Sequence, residues 1–243
     1  MQPRFLVPPP LHAGDTRALP PGPSRHVQVL RLQPGDGITL FDGSGGEWLA
    51  CIERIGRSEV SVRVIEHVDA SRELAFDVTI ALGMPANDRM DSVVEKATEL
   101  GVACIQPLVC ERSVLRLSGE RADKKVAHWL AVAAAASEQC GRTRVPAVNP
   151  ICTLSQWLGS LSPDTIGRRH VLSLREGRGG LAMAIAGQRL LFLSGPEGGL
   201  SDVEEQSALQ AGFEPTSLGP RVLRADTAPL AVLAALALQS DSC

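Results

Sequence analysis

Apolar positions along the chain fall into two regimes. Up to about residue 72 they come in short runs broken by proline and glycine. Phe5-Leu6-Val7 starts a strand that Pro8-Pro9-Pro10 ends. Ile38-Thr39-Leu40-Phe41, Glu47 to Ile52 and Val60 to Val64 follow, the last with the strict alternation of a half-buried strand. Arg25 to Leu32 fits a short helix, closed by Pro34-Gly35-Asp36-Gly37. Several short strands with glycine turns predict a small β-barrel. The polar stretch Asp69 to Glu73 reads as a linker. Beyond it strands and helices alternate, which predicts a mostly parallel sheet. Strands are expected at Phe76 to Leu82, Cys104 to Val109, His170 to Leu174, Leu190 to Leu193 and Phe213 to Leu218. Helices are expected at Asp88 to Leu100, Arg121 to Gln139 and Thr227 to Gln239. In the first helix Val93, Val94, Ala97 and Leu100 share a face and Gly101 is the stop. In the second, Val126, Trp129, Leu130 and Ala133 have core spacing. The third is apolar nearly all round, which suits the core or a subunit interface. The pattern is that of an α/β protein with two domains, residues 1–72 and 73–243.

The run Leu190 to Leu193 stops at Ser194-Gly195-Pro196-Glu197-Gly198-Gly199. A helix is expected just behind it, because Ser201 and Glu204 have the spacing of a capping box. Strand, glycine turn and helix N-terminus together can build a ligand cradle. Glycine lets the backbone approach a ligand closely, and the free N–H groups of a first helical turn face it. An ordinary tight strand-to-helix turn would use the same residues. A second glycine loop, Leu218 to Ala228, also lies between a strand and a helix. Two such loops at strand ends of one parallel sheet meet on the edge where open α/β sheets bind ligands. Neither contains Gly-Lys-Ser/Thr or Gly-x-Gly-x-x-Gly, which argues against a nucleotide triphosphatase or a Rossmann dehydrogenase. No serine–histidine–acid or cysteine–histidine arrangement is apparent either.

Composition narrows the class. The 243 residues are 44% hydrophobic and 21% charged, with a net charge of −3, so no global basic signature marks a polybasic nucleic-acid binder. Charge is uneven, however. Arg112 to Val145 carries seven basic residues against three acids, either a footprint for a phosphate backbone or a solvated helix face with acid–base pairs. Residues 1–72 hold eight arginines and no lysine, which permits planar contacts to phosphates or base edges. The six cysteines are scattered without Cys-x-x-Cys or a histidine cluster, so no metal site is expected and reduced thiols in a cytoplasmic protein fit best. No long apolar segment opens the chain, and Pro229 to Leu238 is too short to span a bilayer, so neither a signal peptide nor a membrane partner is expected.

Taken together, Gly195-Pro196-Glu197-Gly198-Gly199 and Leu218-Gly219-Pro220-Arg221-Val222-Leu223-Arg224-Ala225-Asp226-Thr227-Ala228 resemble the two C-terminal motifs of the RsmE family. Members of that family are small-subunit ribosomal RNA uridine-N3 methyltransferases. The resemblance runs upstream through Glu95 to Val102, Glu111-Arg112-Ser113, Ser137 to Arg142, His26 to Leu32 and Pro3-Arg4-Phe5. It covers nearly the whole chain in order. One departure is Asp226, which stands where the family usually has glutamate.

This resemblance implies a SPOUT-type α/β domain with a C-terminal trefoil knot, preceded by a PUA-like β-barrel. It also implies S-adenosyl-L-methionine (SAM) as methyl donor, a homodimer, and 16S rRNA or the small ribosomal subunit as partner. Carried over by position, the cofactor contacts are Leu172, Ser173, Gly195, Pro196, Glu197, Gly198, Gly199, Leu218, Gly219, Arg221, Val222, Leu223 and Ala228. The chemistry is attack of a uracil N3 on a sulfonium methyl, which demands alignment and loss of the N3 proton. The motifs hold no histidine. Glu138, Glu197 and Asp226 are their carboxylates, weak bases unless burial raises their pKa. Arg142 or Arg224 is expected to stabilise the developing uracil anion, with no single residue an essential base. For Arg224 an ion pair with Asp226 is the alternative. RNA is expected to meet Arg4, Arg25 and Arg31 in the barrel and Arg112, Arg116, Lys124 and Lys125 in the basic segment. Competing assignments are a SPOUT methyltransferase acting on another RNA and a non-catalytic ribosome-assembly factor.

Overall fold

A computed structural model describes residues 2–86, 89–161, 167–173, 179–181 and 187–240. Two compact units are seen. The first comprises residues 1–73 together with Ser137–Val145, the second Leu74–Ala136 together with Pro146–Cys243.

In the first unit the chain runs through β1 (Arg4–Leu6), β2 (Thr16–Ala18), α1 (Pro21–Val29), β3 (Gly37–Phe41), β4 (Glu47–Ile55) and β5 (Val60–Val68). They form a five-stranded sheet in the order β1-β3-β4-β5-β2. Pairing is antiparallel except between β1 and β3. Register shifts at Leu49/Ala50 and Ile52/Arg54 bend the β4–β5 ladder, as bulges do. One face buries Phe5, Val27, Ile38, Leu40, Ile52, Val62 and Val64 together. The helix expected at Arg25 to Leu32 begins earlier, at Pro21, because a proline in the first turn lacks only an N–H that would be unpaired anyway. Strand β2 went unforeseen: three exposed or half-buried residues carry no apolar period.

Several charges in this unit are interior. Arg4 is buried, ion-paired to Glu47, and donates to the carbonyl of Arg142 at 3.0 Å. The expected linker is anchored: Arg72 donates to Glu47 at 3.1 Å and to the Gly141 carbonyl at 3.0 Å. Glu73 takes a two-pronged contact from Arg142, 2.9 Å from Nε and 2.5 Å from Nη2. It also accepts the backbone N–H groups of Thr143 and Arg144. Burial alone would raise the Glu47 pKa, but hydrogen bonds from Arg72 and Arg4 outweigh it and hold the carboxyl below its usual range. Glu138 is shifted the other way: burial raises it, against the N–H of Leu6 at 2.8 Å.

The second unit continues with β6 (Asp77–Gly83), α2 (Arg89–Glu99), β7 (Cys104–Val109), α3 (Glu120–Cys140), β8 (Ala147–Val148) and β9 (Cys152–Thr153). Then come α4 (Leu154–Ser160), β10 (Arg168–Leu172), β11 (Gly179–Gly180), β12 (Arg189–Ser194), α5 (Asp202–Gln210), β13 (Glu214–Ser217) and α6 (Thr227–Ser240). The last turn of α3, from Ser137, groups with the first unit. The strands form a parallel sheet in the order β11-β13-β10-β12-β6-β7-β8, with β9 beside β7. The expected α/β character is therefore present. Asp88, Leu174 and Cys243, each named from the sequence, lie outside the described residues.

Strand β12 is apolar on both sides because the sheet is covered on both faces. Leu191 and Leu193 pack with Leu154, Trp157, Ala208 and Phe213 from α4, α5 and the segment before β13. Helix α2 buries Val93, Val94 and Ala97 as expected, and Gly101 ends it in the left-handed region. In α3 the buried row is Ala122, Trp129, Ala133 and Ala136, whereas Leu130, expected in the core, is exposed. Trp129 is a core residue whose indole N–H donates to Asp91 at 2.9 Å. Asp91 also receives His128 at 2.6 Å and Lys125 at 3.3 Å. Helix α4 was not foreseen, although its signal is in the sequence: Thr153 and Gln156 form a reciprocal capping box.

Candidate active site

Three strands, β10, β12 and β13, end side by side, and the chain leaving each one lines a single cavity of about 480 Å³. The first wall is Ser194 to Gly199. It is a backbone folded on itself. The N–H of Gly199 donates to the Pro196 carbonyl at 2.8 Å, and Gly199 has φ 69°. A Cβ on Gly195 would stand 2.6 Å from the Leu200 nitrogen and 2.7 Å from the Gly199 carbonyl carbon. Nothing but glycine fits there. Pro196 lies so close over Gly83, at the end of β6, that a Cβ on Gly83 would meet its Cδ at 2.4 Å.

Side chains brace this turn from outside. Arg112 donates to the carbonyls of Gly198 at 2.9 Å and Leu200 at 3.2 Å. Glu197 accepts the Ala86 N–H at 2.9 Å and lies 3.5 Å from the Arg89 guanidinium. Its role in this structure is thus to tie the turn to the chain after β6. The capping box is present: Ser201 Oγ accepts from the Glu204 N–H, and Glu204 accepts the Ser201 N–H. Its other carboxylate oxygen accepts the Glu111 N–H at 2.8 Å. One expectation is corrected here. No residue of α5 lines the cavity, and its first turn carries Asp202, Glu204 and Glu205, whose charges oppose an anion. At this wall the cradle consists of loop backbone and not of the N-terminus of α5.

The second wall runs from Thr216 to Gly219 and from Arg221 to Ala225, with Ala228 at the start of α6. Gly219 has φ 101°, and its N–H donates to Ser217 Oγ at 3.2 Å. The N–H groups of Thr227 and Ala228 both donate to the Arg224 carbonyl, which turns the loop into α6. Asp226 accepts from Thr227 Oγ1, and no Arg224–Asp226 ion pair occurs among the described residues. The third wall is Leu172 and Ser173, whose hydroxyl donates to Glu205 at 2.5 Å. Beside it His170 shares a hydrogen bond with Thr216 Oγ1 at 2.8 Å and stacks on Phe192. Burial lowers the His170 pKa, which favours the neutral ring.

Every position named for the cofactor from the sequence lies on this one cavity: Leu172, Ser173, Gly195, Pro196, Glu197, Gly198, Gly199, Leu218, Gly219, Arg221, Val222, Leu223 and Ala228. Sequence reasoning missed Arg89, Ser194, Thr216, Ser217 and Ala225. Ser194 sat inside the quoted motif; Arg89, from the N-terminus of α2, carried no local signal.

The profile described as "RNA methyltransferase domain" matches residues 72–237, and that of the "RNA methyltransferase PUA domain" matches residues 24–65. A ribosomal RNA small subunit methyltransferase E of Bacillus subtilis is 34% identical over 88% of this chain and 86% of its own. The chain belongs to the ribosomal RNA small subunit methyltransferase E family. A solved structure of such an enzyme from Neisseria gonorrhoeae, bound to S-adenosyl methionine, aligns with TM-score 0.89 and 35% identity, covering 97% of this chain and 96% of that one. A methyltransferase of Legionella pneumophila in complex with SAM aligns with TM-score 0.89 and 33% identity over 97% of both chains.

In this family member the remaining sequence-named residues are scattered. Arg224 lines the cavity, whereas Arg142 and Glu138 belong to the first unit and are engaged there. Arg4, named for RNA, is corrected: a buried guanidinium paired to Glu47 offers no surface contact. Arg112 braces the glycine turn, Arg116 donates to the Glu111 carbonyl, Lys124 pairs with Glu120 and Lys125 with Asp91. These pairs match the acid–base alternative for the basic segment. Arg25 and Arg31 are exposed. Among the described residues no cluster of three potential metal ligands occurs, and no helix is long and apolar enough to cross a membrane.

Proposed function

We propose that the protein is a SAM-dependent methyltransferase that methylates N3 of one uridine in 16S ribosomal RNA. The observation that carries this reading is the cavity itself, built from two glycine loops and a third strand end of a family whose solved member binds S-adenosyl methionine. The residues present fit that cofactor. About 480 Å³ suits a ligand of its size, and the walls offer backbone N–H and C=O groups at Gly195 to Gly199, Leu218 and Gly219. The crowding around Gly195 shows how near that backbone comes to filling its own space. Bound SAM supplies a methyl group activated on a sulfonium sulfur. The protein's part is to hold donor and uracil in line and to favour the deprotonated uracil. We assign the second task to Arg224, which lines the cavity without an acid pair among the described residues, in preference to Arg142, whose guanidinium is held by Glu73. Mass spectrometry of ribosomal RNA from cells lacking the gene is expected to show loss of a single N3-methyluridine. An unchanged profile would overturn the assignment.

The finer architecture goes with this reading: a trefoil knot made by the two loop segments, and barrel-like closure of the five-stranded sheet. The homodimer is supported by α6. Ala231, Ala234, Ala235 and Leu238 form a charge-free stripe on its outer side, with Leu238 strongly exposed. Leu238→Glu is expected to yield a monomer by sedimentation; a dimer of unchanged affinity would place the interface elsewhere.

For RNA the best-supported residue is Arg31. It has φ 56°, a left-handed conformation that costs a non-glycine residue about 1 kcal/mol, at the position after α1 where glycine is usual. Val29 and Leu30, both exposed, directly precede it, and Arg25, also exposed, lies six positions earlier. Arg31→Gly is expected to keep the fold, because glycine takes this conformation without strain. It is also expected to weaken RNA binding and lower the salt slope by about one. A slope equal to wild type would show that Arg31 only decorates the surface. Arg116 and Lys124 remain exposed and are the secondary candidates.

A further inference from the structure

Seven basic residues lie from Arg112 to Val145, and five of them have their side chains committed within the protein: Arg112, Arg116, Lys124, Lys125 and Arg142. Arg121 and Arg144 do not. Arg121 is an exposed side chain in the first turn of α3. Arg144 is exposed too, but its place is fixed. Its backbone N–H donates to Glu73 at 3.1 Å, its carbonyl accepts from Ser137 Oγ at 3.5 Å, and it forms an antiparallel bridge with Ser44. Its guanidinium has neither a hydrogen bond nor an ion pair among the described residues.

What the guanidinium does touch is bare backbone. The turn between β3 and β4 is Asp42-Gly43-Ser44-Gly45-Gly46, and its three glycines have φ of 82°, 117° and 69°. A Cβ on Gly45 would stand 3.5 Å from Arg144 Nε and 3.6 Å from Nη2, so the arginine head lies along the turn. On the next residue, a Cβ on Gly46 would meet His67 Nε2 at 2.2 Å. His67 is exposed and makes an edge-on contact with Trp48, its partner across β4 and β5, at 4.8 Å between ring centres. Trp48 in turn packs against the core of the first unit, which gives the histidine ring a firm support. The turn's acid, Asp42, accepts the N–H and the hydroxyl of Ser44.

We propose that this turn, with Arg144 and His67 against it, is a binding site for single-stranded RNA on the first unit, Arg144 taking a phosphate and the His67 ring a base. The inference rests on the reading of the protein as an RNA methyltransferase and goes beyond it in naming a place and a form of RNA. An arginine without an acid partner keeps its charge and its planar donor fork for a phosphate. Glycines without side chains let a strand come close to the backbone. A flat exposed ring near that cation suits an unstacked base, whereas a duplex keeps its bases inside. The site is composite. Arg144 falls within the stretch matched as a methyltransferase domain, residues 72–237, yet it stands on the unit that contains the matched PUA segment, residues 24–65.

The test is binding of a fluorescein-labelled single-stranded RNA of about 16 nucleotides, and of the same RNA as a duplex, followed by anisotropy over a range of salt. Arg144→Ala keeps the backbone bonds that fix this residue, so its thermal midpoint and SAM affinity are expected to match wild type. Its affinity for the single strand is expected to fall about tenfold, the size of one charge-assisted hydrogen bond, with a salt slope smaller by about 0.7. Arg144→Lys should keep the slope. His67→Ala is expected to weaken single-strand binding about tenfold at an unchanged slope, because stacking carries no charge, and His67→Phe to restore it. Duplex binding should not respond to His67→Ala. Unchanged affinity and slope in Arg144→Ala would overturn the inference. So would a lowered midpoint with unchanged RNA affinity, which would mean that the guanidinium only covers the turn. Equal losses for single strand and duplex in His67→Ala would overturn the stacking role. Failure of the wild-type protein to bind either RNA would instead overturn the RNA reading beneath it.

Discussion

Gly195→Ala is expected to remove most of the cofactor affinity while leaving a folded protein. A methyl group at this position would lie 2.6 Å from the Leu200 nitrogen and 2.7 Å from the Gly199 carbonyl carbon. Both are backbone atoms, so no side chain can swing away to relieve the overlap. Forcing such a group into packed structure costs about 1–3 kcal/mol. The chain relieves it by opening the Ser194 to Gly199 turn, which is itself one wall of the cavity. The loss therefore appears in binding, roughly tenfold to a hundredfold in the SAM dissociation constant. Gly159→Ala is the matched control. Its Cβ would meet nothing within 4 Å, and it lies in α4, away from the cavity lining. That variant is expected to bind SAM as wild type does and to gain about 0.5–1 kcal/mol of stability, since alanine loses less backbone freedom in a helix. Equal affinity of Gly195→Ala and wild type would show that the turn is not the binding wall.

Arg142→Ala is expected to act on stability instead of on the chemistry. Arg142 is 4% exposed and its guanidinium donates to Glu73 from Nε and Nη2, and Glu73 also accepts the N–H groups of Thr143 and Arg144. Removing the arginine strands a largely buried carboxylate. Breaking a pair of this kind costs about 3–5 kcal/mol, most of it the penalty for the partner left behind. Urea unfolding should show that loss. Arg142→Ala combined with Glu73→Ala should recover part of it, because the stranded charge is then gone. SAM affinity should be unchanged in both. A wild-type stability with a large fall in methylation rate would return Arg142 to the catalytic role that its place in the Ser137 to Arg142 motif first suggested.

Both cases separate what is local from what is not. The motif Gly195 to Gly199 was visible as a tight turn of special residues, because glycine and proline act on the dihedral angles of their own neighbourhood. Its capping box was visible too, since Ser201 and Glu204 are three residues apart. The equivalent box at Thr153 and Gln156 could have been read in the same way and was not. By contrast, Arg4 reads from the sequence as an RNA contact and Arg142 as a catalytic residue, and only their partners show both to be interior. Those partners are Glu47 and Glu73, separated from them by 43 and 69 positions. No window of sequence contains both ends of such a pair. Leu130 failed for a related reason: helical spacing put it beside Trp129, and only the packing of α3 decided that the buried row runs through Ala122 and Ala136.

The sequence by itself determined the alternation of strands and helices in the second unit, the apolar β12, the apolar α6 and the two glycine loops. Each follows from side-chain period and backbone freedom within a few residues. Only the tertiary structure decided that β12 lies between β10 and β6 while β13 pairs on the far side of β10. That order, set by long-range pairing, brings three strand ends to one cavity. It also buries the Ser194 side chain at the end of β12, where the strand stops at the cavity's first glycine turn.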